Sequence, residues 1–222
     1  GIMELNFDIV TYNLPLFWQA TLITIKITIV AFVIALFIAF TVGVLRSYDI
    51  SRVFTVVLAA YVELFRGTPL LVQLFFIYYG LPSVGIVMDA FTAAVIGLGL
   101  NGGAYMSETV RASILSVPKG QEEAAFSLGF NRLEAIWHII LPQALRVAIP
   151  PLMNGFSSML KETSLVSVIS ITELTRTGNL IYSRTAKPFE VYLTLALFYF
   201  VLTFSVVLLA KQIERREKRW NI

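Results

Sequence analysis

Lys119-Gly120-Gln121-Glu122-Glu123-Ala124-Ala125-Phe126-Ser127-Leu128-Gly129 is a polar, helix-forming stretch closed by a glycine, set in a chain that is otherwise largely apolar. The island continues from Phe130 to His138 and ends at Ile139-Ile140-Leu141-Pro142. Pro118 suits the entrance of a short helix, where its missing N–H has no partner to lose. Glu122 and Glu123 near the start complement the helix dipole. Ala124 and Ala125 are small enough for close contact with another surface, and Gly129 can end the helix in a left-handed conformation. Apolar segments long enough to cross a bilayer flank the island on both sides. A short polar helix held between spans is a means of presenting a docking element to a soluble partner.

The 222 residues are 57% hydrophobic and 14% charged, with a mean hydropathy of +0.79. Soluble domains carry roughly 45–50% apolar and about 25% charged residues, so the composition is that of an integral membrane protein. The length suits one domain, residues 1–222. With no cysteine, disulfides, thiolate metal sites and cysteine nucleophiles are excluded. The net charge of +3 does not point to nucleic acid, because the basic residues are dispersed or sit at membrane edges. Glu4 and Asp8 replace the basic region of a leader, and the first apolar run is too long for a signal core. Gly1-Ile2 before Met3 reads as a cloning remnant.

A spanning helix needs about 20 mostly apolar residues. Five segments qualify: 16–45, 53–79, 84–106, 144–169 and 191–210, with the polar island in the connection 116–142. The expected fold is therefore all-α. Placing the N-terminus outside puts Arg46, Arg52, Arg111, Lys119, Arg132, Arg146 and the tail Lys211, Arg215, Arg216, Lys218 and Arg219 on the inner side. Those are eleven of the 17 basic residues, against Arg176, Arg184 and Lys187 outside. The excess of Lys and Arg on cytoplasmic loops favours this N-out, C-in arrangement. It also puts the polar island in the cytoplasm. The outer stretch 172–190 is too polar to span and is expected to hold a short helix, while the basic tail is an anchor to anionic lipid.

Glu123, Ala124, Ala125, Gly129, Ile139, Leu141 and Pro142 form the pattern Glu-Ala-Ala, three residues, Gly, nine residues, Ile-x-Leu-Pro. This resembles the Glu-Ala-Ala loop of bacterial ABC importer permeases, whose coupling helix sits in a groove of the ATPase subunit. Two further stretches, Glu63-Leu64-Phe65-Arg66-Gly67-Thr68-Pro69 and the run from Asn101 to Arg111, are similar to the polar-amino-acid branch of that family. The resemblance implies a type I ABC importer permease fold in the bacterial inner membrane. It implies that Glu122, Glu123, Ala124, Ala125 and Gly129 carry the coupling contact. The partners implied are an ABC ATPase, a second permease copy (identical or related) and an extracytoplasmic solute-binding protein. Transport would proceed by alternating access, with ATP and Mg bound by the ATPase. No cofactor is expected in this chain, and no catalytic residue.

Glu63 and Arg66 stand three apart on one helix face, and Glu108 and Arg111 repeat that spacing. Paired charges are the least costly way to hold ions near a bilayer, so stability or gating is the preferred role for both pairs. Lys161-Glu162-Thr163-Ser164 interrupts an apolar segment at about mid-membrane depth, by a rise of ~1.5 Å per residue. Pro150-Pro151 and Gly155 weaken the helix before it, freeing backbone groups to line a cavity. A zwitterionic amino acid needs an acceptor for its ammonium, which Glu162 can supply, and donors for its carboxylate, which Thr163 and Ser164 can supply. The competing reading is that Lys161 and Glu162 neutralise each other or charges on a partner helix. Asp89 and Asn101 are weaker candidates for the same cavity. The acids would suit a zwitterion or a basic amino acid, with a basic or broad range favoured.

Other matches carry nothing. Gly97-Leu98-Gly99-Leu100-Asn101-Gly102 satisfies a dinucleotide fingerprint literally but lies in an apolar span without a βαβ context. There is no Gly-Lys-Ser/Thr phosphate loop, and the single histidine, His138, makes a dedicated metal site improbable. A gradient-driven transporter or channel is the main rival, though five spans leave no room for an inverted repeat. An intramembrane hydrolase using His138 and Ser157 or Ser158 is a second, opposed because His138 belongs at the cytosolic edge while both serines lie about three to four turns deeper in the membrane.

Overall fold

The computed structural model describes residues 4–48 and 50–219; the reading of Gly1-Ile2 falls outside them. The described residues form nine α-helices and no strand. They are α1 (Asp8–Ser47), α2 (Arg52–Gly67), α3 (Leu70–Phe75), α4 (Ala90–Leu115), α5 (Lys119–Ser127), α6 (Arg132–Ala135), α7 (Leu141–Glu162), α8 (Leu174–Thr185) and α9 (Pro188–Arg219). Among the described residues three stretches are long and apolar enough to cross a membrane: Asp8–Ser47, Arg132–Ile169 and Pro188–Arg216. A fourth appears if Arg52–Gly67 and Leu70–Val84 are taken as one broken span. With 26 residues α4 is long enough, but Asn101 and its glycines dilute its hydropathy and it is not among them.

Three expected spans differ from the helices observed; in place of 84–106, α4 starts only at Ala90 and runs on to Leu115. Residues 53–79 are not one helix: α2 ends at Gly67, and Thr68 is extended at φ −121, ψ 149. The ring of Pro69 pushes the residue before it out of the helical region. In the third, α7 runs unbroken through Pro150 and Pro151 as far as Glu162. The change comes later, where Thr163–Ile169 tightens to a 3-10 helix ended by Ser170 at φ 71. The two prolines withhold N–H groups from the carbonyls of Arg146 and Val147, but they do not end the helix.

A pair of wide turns repeats one local solution. Phe76–Gly80 and Ile136–Ile140 are π-helical turns, each followed by Leu-Pro. The leucine N–H reaches back five residues, Leu81 to the Phe76 carbonyl and Leu141 to the Ile136 carbonyl. The proline that follows has no N–H and its ring crowds the carbonyl four residues earlier, so the backbone opens by one residue.

The chain divides into two compact units. The first comprises residues 1–32, 70–98 and 156–222. Its core joins Phe17 and Ala20 of α1 to Leu174 and Ile181 of α8 and to Val191 and Leu195 of α9. Phe17 stacks on Phe198 with ring centroids 5.4 Å apart. Gly178 lets α8 lie against α9, since a Cβ there would come within 2.5 Å of Leu195 Cδ1. The α8 start is tied to α1 by the Leu174 N–H, which donates to Thr24 Oγ1 at 3.1 Å. The second unit comprises residues 33–69 and 99–155. There a Cβ at Gly43 would meet Val110 at 2.8 Å, so α1 and α4 approach closely, as small residues permit in membrane helices. The Tyr61 hydroxyl donates to the Leu100 carbonyl at 2.5 Å, joining α2 to α4.

Candidate functional site

The polar island folds as a closed local structure. α5 starts after Pro118 and ends in a double backbone bond: the Gly129 N–H donates to Phe126 O at 3.0 Å, and the Phe130 N–H to Ala125 O at 3.1 Å. Gly129 stands at φ +89, a conformation that the bond pattern demands and that only glycine adopts freely. Asn131 opens α6 with a reciprocal cap, accepting from Glu134 N at 2.9 Å while its own N–H donates to Glu134 Oε2 at 2.8 Å. Ala125 is buried, Glu122 is half-buried, and Glu123 and Ala124 are exposed. Beside them Phe126 is exposed and Leu128 is 77% exposed.

Two contacts hold this element. Gln143 Nε2 of α7 donates to Gln121 Oε1 at 3.2 Å. Tyr48, just past the end of α1, lies under the Arg132 guanidinium at 5.2 Å. Burial pushes the Tyr48 hydroxyl pKa up; the Glu122 carboxylate adds to that rise and Arg132 opposes it. Tyr48 therefore sits between charges from α5 and α6, a role that the sequence alone did not signal. His138 is exposed, with Phe130 edge-on at 6.4 Å.

The two expected ion pairs differ in kind. Glu63 and Arg66 approach only to 4.0 Å, with the glutamate side chain 74% exposed. Arg66 also lies over the Tyr105 ring at 5.6 Å. Glu108 meets Arg111 at 3.8 Å, but its nearer partner is Arg46 of α1, which donates to Glu108 Oε1. The Arg46 side chain is 12% exposed. Its 62-residue separation from Glu108 hid this contact from any local pattern.

Among the candidate substrate residues, Lys161 and Glu162 end α7, and Thr163 and Ser164 begin the 3-10 segment. Lys161 is exposed, Glu162 and Ser164 are half-buried, and Thr163 is buried with its hydroxyl donating to Leu160 O at 2.6 Å. A change of helix type at such a position is common where a segment has to hinge or expose backbone. Asp89 belongs to the same unit but is exposed at the start of α4, where its carboxylate accepts from the Thr92 hydroxyl at 2.6 Å and the Thr92 N–H at 3.2 Å. That is the work of a helix cap. Asn101 belongs to the other unit, buried in α4, and donates to the Phe65 carbonyl at 3.4 Å.

One buried acid escaped the sequence reading. Glu173 is 0% exposed at the start of α8 and accepts from the backbone of Thr175 and Arg176. Burial pushes its carboxyl up to about 7, against the opposing pull of those N–H groups and of the Tyr199 hydroxyl. The available signal was an acid directly before a helix in the outer polar stretch. Among the described residues, no group of three acidic or histidine side chains could hold a metal ion.

Comparison with known proteins places these features. The L-cystine transport system permease protein TcyB of Bacillus subtilis is 43% identical over 198 residues, covering 89% of this chain and 84% of that protein. The glutamine transport system permease protein GlnP of Escherichia coli K12 is 35% identical over 218 residues, covering 97% and 99%. A crystal structure of an amino acid ABC transporter with histidines superposes with a TM-score of 0.89 at 40% identity, over 96% of this chain and all of that one. The MetNI methionine ABC transporter, at 19% identity and TM-score 0.78, shares the fold. Residues 39–219 match a single family throughout, both the short polar helix and the spans around it. The chain is thus a multi-pass membrane transport subunit rather than an enzyme, and it belongs to the family of binding-protein-dependent transport system inner membrane components.

Proposed function

We propose that this chain is the permease subunit of an ATP-driven importer of polar amino acids, with a leaning to basic ones, working by alternating access. It crosses the membrane five times with the N-terminus outside and the C-terminus in the cytoplasm. There α5 docks on a separate ATPase, which binds the ATP and Mg. A second permease copy and an extracytoplasmic solute-binding protein complete the assembly. The observation that carries this reading is α5 itself. It is a capped helix with exposed Glu123, Ala124, Phe126 and Leu128, fastened to α7 through Gln143. Such a helix offers apolar and acidic surface to a protein while being too short to cross a bilayer. The amino-acid cargo is supported by the relatives named for cystine and glutamine. It is supported also by the polar residues from Lys161 to Ser164 at the change of helix type.

In this reading Glu162 receives the substrate ammonium, while Thr163, Ser164 and local N–H groups face its carboxylate. Asp89 and Asn101 remain secondary candidates. The test is retention of radiolabelled L-arginine, L-histidine, L-glutamine and L-cystine by the purified permease–ATPase complex, wild type beside Glu162→Ala. The expected result is selective retention of at least one amino acid, weakened at least about tenfold in the variant, the scale of a lost charged hydrogen bond. Equal retention by both would move the substrate site elsewhere.

A further inference from the structure

A hollow of about 320 Å³ lies between the start of α1 and the end of α8, within the first unit. Its volume falls at the small end of the range for small-molecule sites, ~300–1,000 Å³. Ile9 and the buried Ile181 give it an apolar lining, and Asp8 and Arg184 bring opposite charges to it. Two other lining groups are already engaged within their own helices. The Asn13 amide donates to Ile9 O at 2.6 Å, and the Thr185 hydroxyl to Ile181 O at 2.8 Å. The charged groups differ. Among the described residues no ion pair joins Asp8 to Arg184, or either of them to another residue. Arg184 engages only Nε, which donates to Leu180 O at 3.3 Å and leaves both terminal NH2 groups open to a ligand.

Both charges are held in place. The Asp8 N–H donates to Asn6 Oδ1 at 2.9 Å, and the Asn6 N–H donates to Glu190 Oε1 at 2.7 Å. Glu190 is 2% exposed near the start of α9, and Lys187 Nζ donates to Glu4 O at 2.9 Å. The segment before α1 is thus strapped to α9 at two points, which fixes where Asp8 stands. On the other wall the Nε bond ties Arg184 to its own helix. Opposite charges fixed apart around an apolar hollow are the complement of a small zwitterion. A guanidinium grips a carboxylate or phosphate with two parallel N–H donors, and a carboxylate accepts from a primary ammonium. A ligand with one charge alone would leave one wall without a partner.

We propose that this hollow binds a ligand carrying a primary ammonium a few bonds from an anion, Arg184 holding the anion and Asp8 the ammonium. A free α-amino acid and the headgroup of an ethanolamine phospholipid share that chemistry. The site is independent of residues 161–164; that it would receive cargo arriving from outside rests on the importer reading. Tyr12 lines the hollow and is 86% exposed, and the chain has no cysteine, so Tyr12→Cys places a single reporter thiol there. The experiment uses the purified permease–ATPase complex, freed of phospholipid. The rate of maleimide reaction is followed as L-arginine, L-histidine, L-glutamine or glycerophosphoethanolamine is raised to about 10 mM, above the Kd of a weak site. At least one of the four is expected to slow reaction at Tyr12→Cys and not at Ser183→Cys, which is exposed on α8 outside the hollow. Adding Asp8→Asn or Arg184→Gln should raise the half-protecting concentration at least about tenfold, the scale of a lost charged hydrogen bond. Protection by amino acids makes the hollow a stop for cargo, and protection by glycerophosphoethanolamine alone makes it a lipid seat. No protection by any of the four, or protection unchanged in both charge variants, would overturn the site. Should Tyr12→Cys fail to assemble, Thr185→Cys on the other wall carries the same reporter. Glu162→Ala separates the two ideas. Protection lost in that variant rejects a site of its own in the hollow. Amino-acid retention unaltered by Glu162→Ala, with protection still lost in Asp8→Asn, removes the assignment of residues 161–164 and leaves the hollow standing.

Discussion

Arg46 and Arg66 both pair with glutamates, yet burial makes them unequal. Removing Arg46 leaves Glu108 half-buried with Arg111 as its remaining cation, at 3.8 Å. Losing the nearer partner of a partly buried carboxylate costs more than losing one from an exposed pair such as Glu63–Arg66, which contributes ~1 kcal/mol or less. Arg46→Ala should therefore lower the unfolding midpoint of the purified protein by several degrees more than Arg66→Ala, and equal shifts would show that burial does not separate them. Glu173 makes a prediction of opposite character. Its carboxyl, pushed up to about 7 by burial, is held protonated in the fold at pH values where the unfolded chain has already released the proton. Its contribution to stability is thus complete below the ordinary glutamate value of about 4.3, declines as pH rises toward 7, and is flat above. Glu173→Gln cannot titrate, so its unfolding midpoint, followed from about pH 5 to about pH 7.5, should lose the part of the decline seen in wild type. Parallel profiles would assign the decline to other groups.

At the scale of the element, α5 joins a fixed end to an open face. Glu123→Lys reverses an exposed charge without touching the caps at Pro118 and Gly129. Uptake driven by ATP should fall by more than about tenfold, as for loss of one strong charged contact, while membrane insertion stays normal. Undiminished uptake would remove α5 as the docking element. A branched residue at Gly129 acts differently, because φ +89 costs an L-residue ~1–2 kcal/mol and frays the helix end itself. The limits of α5 were legible in the sequence because they are local: a proline that opens and a glycine that closes, around a helix of nine residues. The break after Gly67 was equally local, written in Thr68-Pro69, but the unbroken hydropathy of 53–79 outweighed it. Arg46–Glu108 and Tyr199–Glu173 were not legible, since each joins residues that only the packing of separate helices brings together.

For the whole molecule the open matter is orientation, and the absence of cysteine makes it testable with single introduced thiols. Ser183 on α8 and Ser127 on α5 are both exposed. With the N-terminus outside, Ser183→Cys should react with a membrane-impermeant maleimide in intact spheroplasts, and Ser127→Cys only after permeabilisation. The reverse order would invert the topology. The two Leu-Pro π turns bear on the same scale. Each holds one residue more than an α-helical path needs, and in an α-helix one residue is about 100° of rotation. Deleting a single residue from 136–140 would let the backbone relax to ordinary helix, yet would swing every side chain after it a quarter-turn about the axis. Pro142 in this view works like a keyway on a shaft: it sets the angle at which the first turn of α7 meets what precedes it, and with it the side on which Gln143, which holds Gln121 of α5, comes to lie.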